Sequence, residues 1–149
     1  EVLAELKVHV EITNLIVPGG NDDPETIRKL CRWLVRTVGP QVPLHFTRYH
    51  PDYKLERPGP TPLETLLKAR EIAHSEGLKY VYIGNVAAPD GQLTACASCG
   101  RTLIDRQGYF IQVNEVREGL CPSCGARIPG VWESLEHATV RIPVTERGK

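Results

Sequence analysis

The sequence contains no methionine, few aromatic residues and no apolar run of about 18 residues, which is the minimum that a membrane-spanning helix needs. We therefore expect no transmembrane helix. The net charge is zero, from 18 Lys+Arg against 18 Asp+Glu, so the chain also lacks the basic surface of a protein dedicated to nucleic acid. No basic segment followed by an apolar stretch opens the sequence, and we expect a cytoplasmic protein with reduced thiols.

Length and composition indicate a globular protein. With 149 residues, 41% of them hydrophobic and 24% charged, the chain matches one ordinary domain or slightly more. A disordered tail, a collagen-like chain and a disulfide-rich miniprotein are excluded. The first residue is Glu1, whereas removal of an initiator methionine usually leaves a small residue first. We therefore expect the chain to be part of a longer protein.

The first 90 residues alternate between strand-like and helix-like segments. A period of two in β-branched and apolar residues marks the strands, and apolar residues three and four apart mark the helices. Thr61 and Glu64 have the spacing of a capping box, which predicts that the Thr61 hydroxyl caps the second helix. In chain order we predict a strand over 8–17, a helix over 24–38, a strand over 42–50, a helix from Thr61 and a strand over 80–84.

This order predicts an α/β fold with parallel strands, the fold of a partial (β/α) barrel. Ligands of such sheets bind at the carboxyl ends of the strands, here in the loops 18–22, 49–60 and 85–93. Three strands cannot close a barrel, so one face and one edge need cover from an amino-terminal stretch, another chain or the strand-like tail at 138–142. Small, turn-forming residues at 87–91 predict a linker. The predicted units are therefore 1–90, the barrel part, and 91–149, a second unit with the tail.

Four of the five cysteines form two Cys-x-x-Cys pairs, each followed by glycine and separated by 21 residues. Thiolates are the ligands that close a tetrahedral zinc site, and the glycine lets the backbone turn its amides toward the sulfurs. Residues 102–113 between the pairs predict two strands around a turn at Gly108. The pattern predicts a zinc ribbon with one structural zinc ion, whose ligands are Cys96, Cys99, Cys121 and Cys124.

Two alternatives use the same four cysteines. Two disulfides would need an oxidising compartment, which the composition does not indicate. Iron is the second alternative, because the paired motifs resemble those of rubredoxin. The fifth cysteine, Cys31, lies in the apolar stripe of the first predicted helix, and we expect a buried hydrophobe rather than a reactive thiol.

Motifs outside the cysteine pairs resemble radical S-adenosylmethionine enzymes of the pyruvate formate-lyase activating type. Val17-Pro18-Gly19-x-Asn21-Asp22 follows one strand, and Tyr49-His50 ends the next. The runs PLHFTRYHPDYK at 43–54, YVYIGNV at 80–86 and IPGVW at 128–132, with the cysteine pairs, resemble the carboxyl half of the AmmeMemoRadiSam-system radical SAM enzyme. The resemblance extends from about residue 8 to residue 132.

The resemblance implies a barrel that binds a 4Fe-4S cluster and S-adenosylmethionine, which it cleaves to a 5′-deoxyadenosyl radical. The family holds its cluster with a Cys-x-x-x-Cys-x-x-Cys motif that this sequence lacks. We expect the chain to be the carboxyl-terminal fragment of such an enzyme, without activity of its own and without catalytic residues. Its partners would be the missing amino-terminal barrel half and a substrate, either a protein or another molecule, that the sequence does not identify.

The resemblance, together with the position of polar residues at strand ends, implies a set of cofactor-binding residues. Glu11 and Thr13 share one face of the first strand, but Glu11 or Arg48 could equally pair across a polar barrel centre. His50 could simply bond to backbone. The remaining histidines (His9, His45, His74 and His137) are expected at the surface or in a satisfied core. The predicted cofactor-binding residues are Thr13, Arg48, His50 and Asn85.

Two other functions remain open from the sequence. A zinc-ribbon module could bind protein or nucleic acid, although the arginines of the ribbon are offset by acids and form no basic face. A rubredoxin-like electron carrier would hold iron in place of zinc, and its oxidised form would be red.

Overall fold

The computed structural model describes residues 2–6, 8–54, 57–88 and 90–132. The predicted tail strand at 138–142 lies outside the described residues. No helix in the described part of the chain is long and apolar enough to cross a membrane. The elements are α1 (Val2–Glu5), β1 (Ile12–Ile16), α2 (Pro24–Thr37), β2 (Leu44–Arg48), α3 (Leu63–Ser75), β3 (Val81–Gly84), β4 (Thr94–Ala95), β5 (Thr102–Gln107) and β6 (Phe110–Asn114).

The strands form two sheets of opposite character. β1, β2 and β3 pair in parallel and in chain order, and β4, β5 and β6 pair antiparallel. The mixed α/β fold and the parallel pairing are confirmed. Every predicted strand of the first sheet is shorter in the structure, and the short helix α1 was not predicted. A boundary between two units at residue 90 stays a prediction.

The parallel sheet buries one face, and within the described ranges no helix covers the other. Side chains at alternate positions, such as Leu44 and Phe46 of β2, are fully buried in one cluster with residues of both α2 and α3. The intervening positions, such as Thr13 on β1 and His45 on β2, lie on the opposite face, which we call the helix-free face. Both helices therefore cover the same side of the sheet.

The start of α2 agrees with the sequence pattern, and the start of α3 does not. Asp23 Oδ1 accepts a hydrogen bond from the Thr26 amide at 2.9 Å, and Pro24 is the first helical residue. In α3 the residue before the helix is Pro62, and no side chain of the described residues caps it. The capping box at Thr61 and Glu64 is therefore wrong.

The hydroxyl of Thr61 is used elsewhere. It accepts a hydrogen bond from the Tyr49 amide at 3.0 Å and donates one to the Ile16 carbonyl at 2.5 Å, and the residue is fully buried. Thr61 therefore ties the ends of β1 and β2 together. The buried residues of α3 are Leu66, Ala69, Ile72 and Ala73.

Gly91, the last residue of the predicted linker at 87–91, packs against the sheet. The Ile83 amide donates to the Gly91 carbonyl at 2.8 Å, and Gly91 is buried. A Cβ atom on Gly91 would lie 2.9 Å from Ala88 Cβ and 3.3 Å from Ile83 Cβ. Gly91 therefore packs against the outer edge of β3, at the end of the predicted linker.

We expect Gly91→Ala to lower the free energy of unfolding by about 1–3 kcal/mol, because the added methyl group overpacks the contact with β3. Gly59→Ala is the control, since a Cβ there has no atom within 4 Å. Urea denaturation followed by circular dichroism measures both. Equal stability of the two variants would show that Gly91 is not packed as described.

The second sheet and the two cysteine turns form a separate small core. We call residues 94–132 the ribbon; the predicted hairpin is confirmed, with Gly108 between β5 and β6. Trp132 packs on this core, and its Nε1 donates to the Ile128 carbonyl at 2.9 Å. The buried residues of this core are Cys96, Leu103, Cys121 and Ile128.

Candidate functional site

The four paired cysteines converge on one point. Their sulfur atoms all lie within 4.8 Å of one another. Cys96 Sγ is 3.6 Å from Cys124 Sγ, and Cys99 Sγ is 3.7 Å from Cys121 Sγ. A tetrahedral zinc ion with Zn–S bonds of about 2.3 Å needs S–S distances of about 3.8 Å, whereas a disulfide needs about 2.05 Å. The four thiols can therefore hold a metal ion, and all are free of disulfides.

The two cysteine turns have the same backbone geometry. In the first turn, the amide of Gly100 donates to the carbonyl of Cys96 at 2.8 Å, and in the second, the amide of Gly125 donates to the carbonyl of Cys121 at 2.9 Å. Both glycines have a left-handed φ, +74° and +71°, which a side chain would strain. The glycines in the motif are thus explained by the turn that brings each pair of sulfurs together.

The surroundings of Cys96 favour the thiolate form of this residue over the thiol. Burial raises the pKa of the Cys96 thiol, but amides at Cys99 and Ser98 and the sulfurs of Cys124 and Cys99 more than offset it and lower the pKa to about 6. At Cys124 the Ala126 amide lowers the pKa, whereas the neighbouring sulfurs and burial raise it to about 12. The thiols therefore compete for charge, and a divalent cation relieves that competition by stabilising all four thiolates.

Cys31 has a different environment. It lies on the buried side of α2, and burial, with the nearby Glu76 carboxylate, raises its pKa to about 11 against a partial offset from Arg28. A neutral, inaccessible thiol is a poor nucleophile. The structure agrees with the prediction of a buried hydrophobe.

The two environments predict a thiol titration in three steps. With metal bound we expect a disulfide reagent to react with no cysteine within minutes, because four are ligands and Cys31 is buried. After chelation of the metal, four thiols should react, and a fifth only in denaturant. The absorbance of the released thiolate counts them. A thiol that reacts rapidly in the metal-loaded protein would contradict this assignment.

The four predicted cofactor-binding residues occupy different surroundings. Thr13 is exposed on the helix-free face, and Arg48 is partly buried, with Nε donating to the Thr61 carbonyl at 2.9 Å. His50 is exposed, and its Nδ1 lies 2.8 Å from the Pro51 carbonyl, so its contact is to backbone. Cofactor binding by these residues stays a prediction.

Asn85 lies at the end of β3 in a left-handed conformation, with φ of +61°. It lines an open cavity of about 850 Å³ between this strand end and the turn at Gly108 and Tyr109. The β5–β6 turn of the ribbon therefore stands beside the carboxyl end of the parallel sheet, where the sequence predicts ligand binding.

A polar cluster lies on the helix-free face around Glu11, for which the sequence left open a pairing across a polar centre but identified no partner. Glu11 accepts contacts from both His9 and His45, at 3.2 and 2.8 Å, and the His45 ring stacks on Tyr82 with centroids 4.9 Å apart. Burial raises the pKa of Glu11, and the hydrogen bonds from the two imidazoles outweigh that and lower it. The parallel register, which sets Thr13 opposite His45, brings these side chains together. No spacing in the sequence indicates this pairing.

The same cluster continues into the ribbon. Tyr82 Oη and Thr94 Oγ1 are 2.9 Å apart, and the Arg106 guanidinium lies 5.1 Å from the centre of the Tyr82 ring. These contacts fix the ribbon to the helix-free face near the start of β2 and β3.

Comparison with known proteins gives one informative similarity. No family model matches the chain. It is 44% identical over 126 residues to an uncharacterized protein of Methanocaldococcus jannaschii, an alignment that covers 83% of this chain and 38% of the relative. The chain therefore spans less than two fifths of the length of that curated relative, and the similarity assigns no activity.

Proposed function

We propose that the chain is the carboxyl-terminal part of a radical S-adenosylmethionine enzyme of the pyruvate formate-lyase activating type, with a zinc ribbon appended. The observation that carries the proposal is the arrangement of the parallel sheet. Its strands follow in chain order β1, β2 and β3, both helices cover one face, and the opposite face carries polar side chains. A segment cut from a (β/α) barrel has this arrangement, because the face without helices lines the barrel.

The free edge of the sheet supports the same proposal. Within the described ranges no strand pairs with the outer edge of β1, and Leu15 on the helix-free face is 45% exposed. An unpaired edge and an exposed leucine are unfavourable in an isolated sheet. In the proposed enzyme, strands from the remainder of a longer chain pair with β1.

The residues of this chain do not fit a 4Fe-4S cluster. The sequence lacks the three-cysteine motif, Cys31 is single and buried, and the other four sulfurs converge on one tetrahedral position. No step of radical chemistry is therefore derived from these residues. In the proposal this chain contributes Arg48, His50 and Asn85 at or just beyond the carboxyl ends of its strands, and the loop from 49 to 60. Thr13 is the second residue of β1 and lies near the opposite end of the sheet.

For the cysteine cluster we propose zinc in a structural role. Four protein thiolates leave no open coordination position, which is the mark of a structural site. Elemental analysis should find one zinc per chain in a colourless protein. A red protein with one iron per chain would favour the rubredoxin-like alternative.

Two observations test the proposed enzyme class. The coding sequence upstream of this chain should contain a Cys-x-x-x-Cys-x-x-Cys motif. By calorimetry, the chain alone should bind S-adenosylmethionine weakly or not at all, and the intact, cluster-loaded protein should bind it tightly. Tight binding by the chain alone would contradict the proposal, as would full activity of an intact protein carrying both Arg48→Ala and His50→Ala.

One observation favours a second candidate, a ribbon that binds another protein. All of β6 is exposed, including Phe110 at 75% and Ile111 at 62%, and Tyr109 beside it is fully exposed. This apolar surface suits a protein partner better than nucleic acid, because Arg101 on the same ribbon is paired with Glu115 at 2.8 Å. If the protein is only a binding module, the intact protein should never cleave S-adenosylmethionine. This outcome distinguishes the second candidate function from the first.

A further inference from the structure

A second cavity lies where the ribbon meets the helix-free face of the parallel sheet. It encloses about 320 Å³, room for one small organic molecule, and we call it the junction cavity. None of the four predicted cofactor-binding residues is among the residues that line it. The polar and aromatic side chains that line it include those of Glu11, His45, Tyr82, Thr94, Arg106 and Trp132.

Arg106 supplies a positive charge without a matching acid. Its Nε lies 3.4 Å from the Gln92 carbonyl and its Nη2 lies 3.3 Å from Thr94 Oγ1, so both contacts are long and to neutral oxygens. Within the described residues no carboxylate pairs with it, whereas Arg32 pairs with Glu76. The cavity therefore offers a guanidinium that an anion can satisfy, and carboxylate is its best geometric match.

Glu11 limits the charge that such an anion can carry. Its carboxylate is already held by His9 and His45 and lines the same cavity. A dianion such as phosphate would be repelled by this carboxylate, whereas a single negative charge balances the single charge of Arg106. The hydroxyls of Tyr82 and Thr94 add neutral hydrogen-bonding groups for a polar substituent.

The walls of the cavity select the body of the ligand. Aromatic rings of His45, Tyr80, Tyr82 and Trp132 line it, together with aliphatic side chains such as Ile104. Flat aromatic groups pack well against such walls. We infer that the junction cavity binds a small one-ring aromatic carboxylate, with the carboxylate on Arg106 and the ring among these aromatic side chains.

The experiment uses 4-hydroxybenzoate as the probe and Trp132 fluorescence as the signal. The full chain carries Trp33→Phe, which removes the other tryptophan, so any saturable change reports on the cavity. We expect saturable binding of 4-hydroxybenzoate and at least about tenfold weaker binding of the neutral isostere 4-hydroxybenzamide. In both titrations the residues that line the cavity are unchanged.

Two arginine variants locate the carboxylate. Arg106→Gln should weaken binding of the probe at least about tenfold, whereas Arg117→Gln, an exposed ribbon arginine outside the cavity lining, should leave it unchanged. The metal content of each variant checks that the ribbon is folded. Absence of saturation up to about 10 mM, or equal binding of the acid and the amide, would overturn the inference even if Arg106→Gln failed to fold.

Discussion

The Cys121→Ser variant should lose its metal ion and unfold the ribbon, while the parallel sheet keeps its structure. The ribbon core has four buried residues, and two of them, Cys96 and Cys121, belong to the four-cysteine cluster that can hold a metal ion. So small a core cannot fold by burial alone, and a structural zinc ion contributes on the order of 10–16 kcal/mol. Elemental analysis measures the metal, and amide hydrogen exchange shows which residues lose protection.

Cys31→Ala is the matched control for this variant. It removes a cysteine on the buried side of α2 that lies outside the four-cysteine cluster, so we expect one metal ion per chain and a weakened sheet. The two variants should thus damage opposite parts of the molecule. A Cys121→Ser protein that retains a full equivalent of tightly bound metal, or loses protection equally in both sheets, would refute the assignment.

We expect Thr61→Val to lower the free energy of unfolding by about 2–5 kcal/mol. Valine has the same shape but removes the hydroxyl, so the buried Tyr49 amide loses an acceptor at 3.0 Å and the Ile16 carbonyl loses a donor at 2.5 Å. Each such loss inside a protein costs about 1–3 kcal/mol. Urea denaturation measures the change.

Thr61→Ser keeps the hydroxyl and removes a methyl group. It should therefore lower the free energy of unfolding by less than half as much as Thr61→Val does. The comparison separates the hydrogen bonds from packing. If serine and valine destabilise the protein equally, the hydroxyl does not tie β1 to β2 as described.

The sequence predicted what depends on local spacing. Alternating apolar residues predicted strand β2, and an apolar stripe predicted the helix α2 that packs on the sheet. Each pattern follows from the geometry of a single element. The metal centre was predictable for the same reason, since the glycines at 100 and 125 and the paired cysteines determine each turn.

Contacts between elements were not predictable in this way. The sequence indicates Thr61 as a helix cap because Glu64 follows it three residues later. In the structure its hydroxyl instead bonds to backbone groups at the ends of β1 and β2. Gly91 looks like a linker residue until its packing against Ile83 is known. The pairing of Glu11 with His45 depends on a register between strands 34 residues apart along the chain, which no single segment encodes.

The most direct test of the proposed enzyme class is the formation of 5′-deoxyadenosine by the intact enzyme to which the proposal assigns this chain. The protein is purified without oxygen, loaded with iron and sulfide, and incubated with S-adenosylmethionine and a strong one-electron reductant. We predict 5′-deoxyadenosine and methionine in equal amounts, detected by liquid chromatography. A protein with a verified 4Fe-4S cluster that forms neither product would contradict the account.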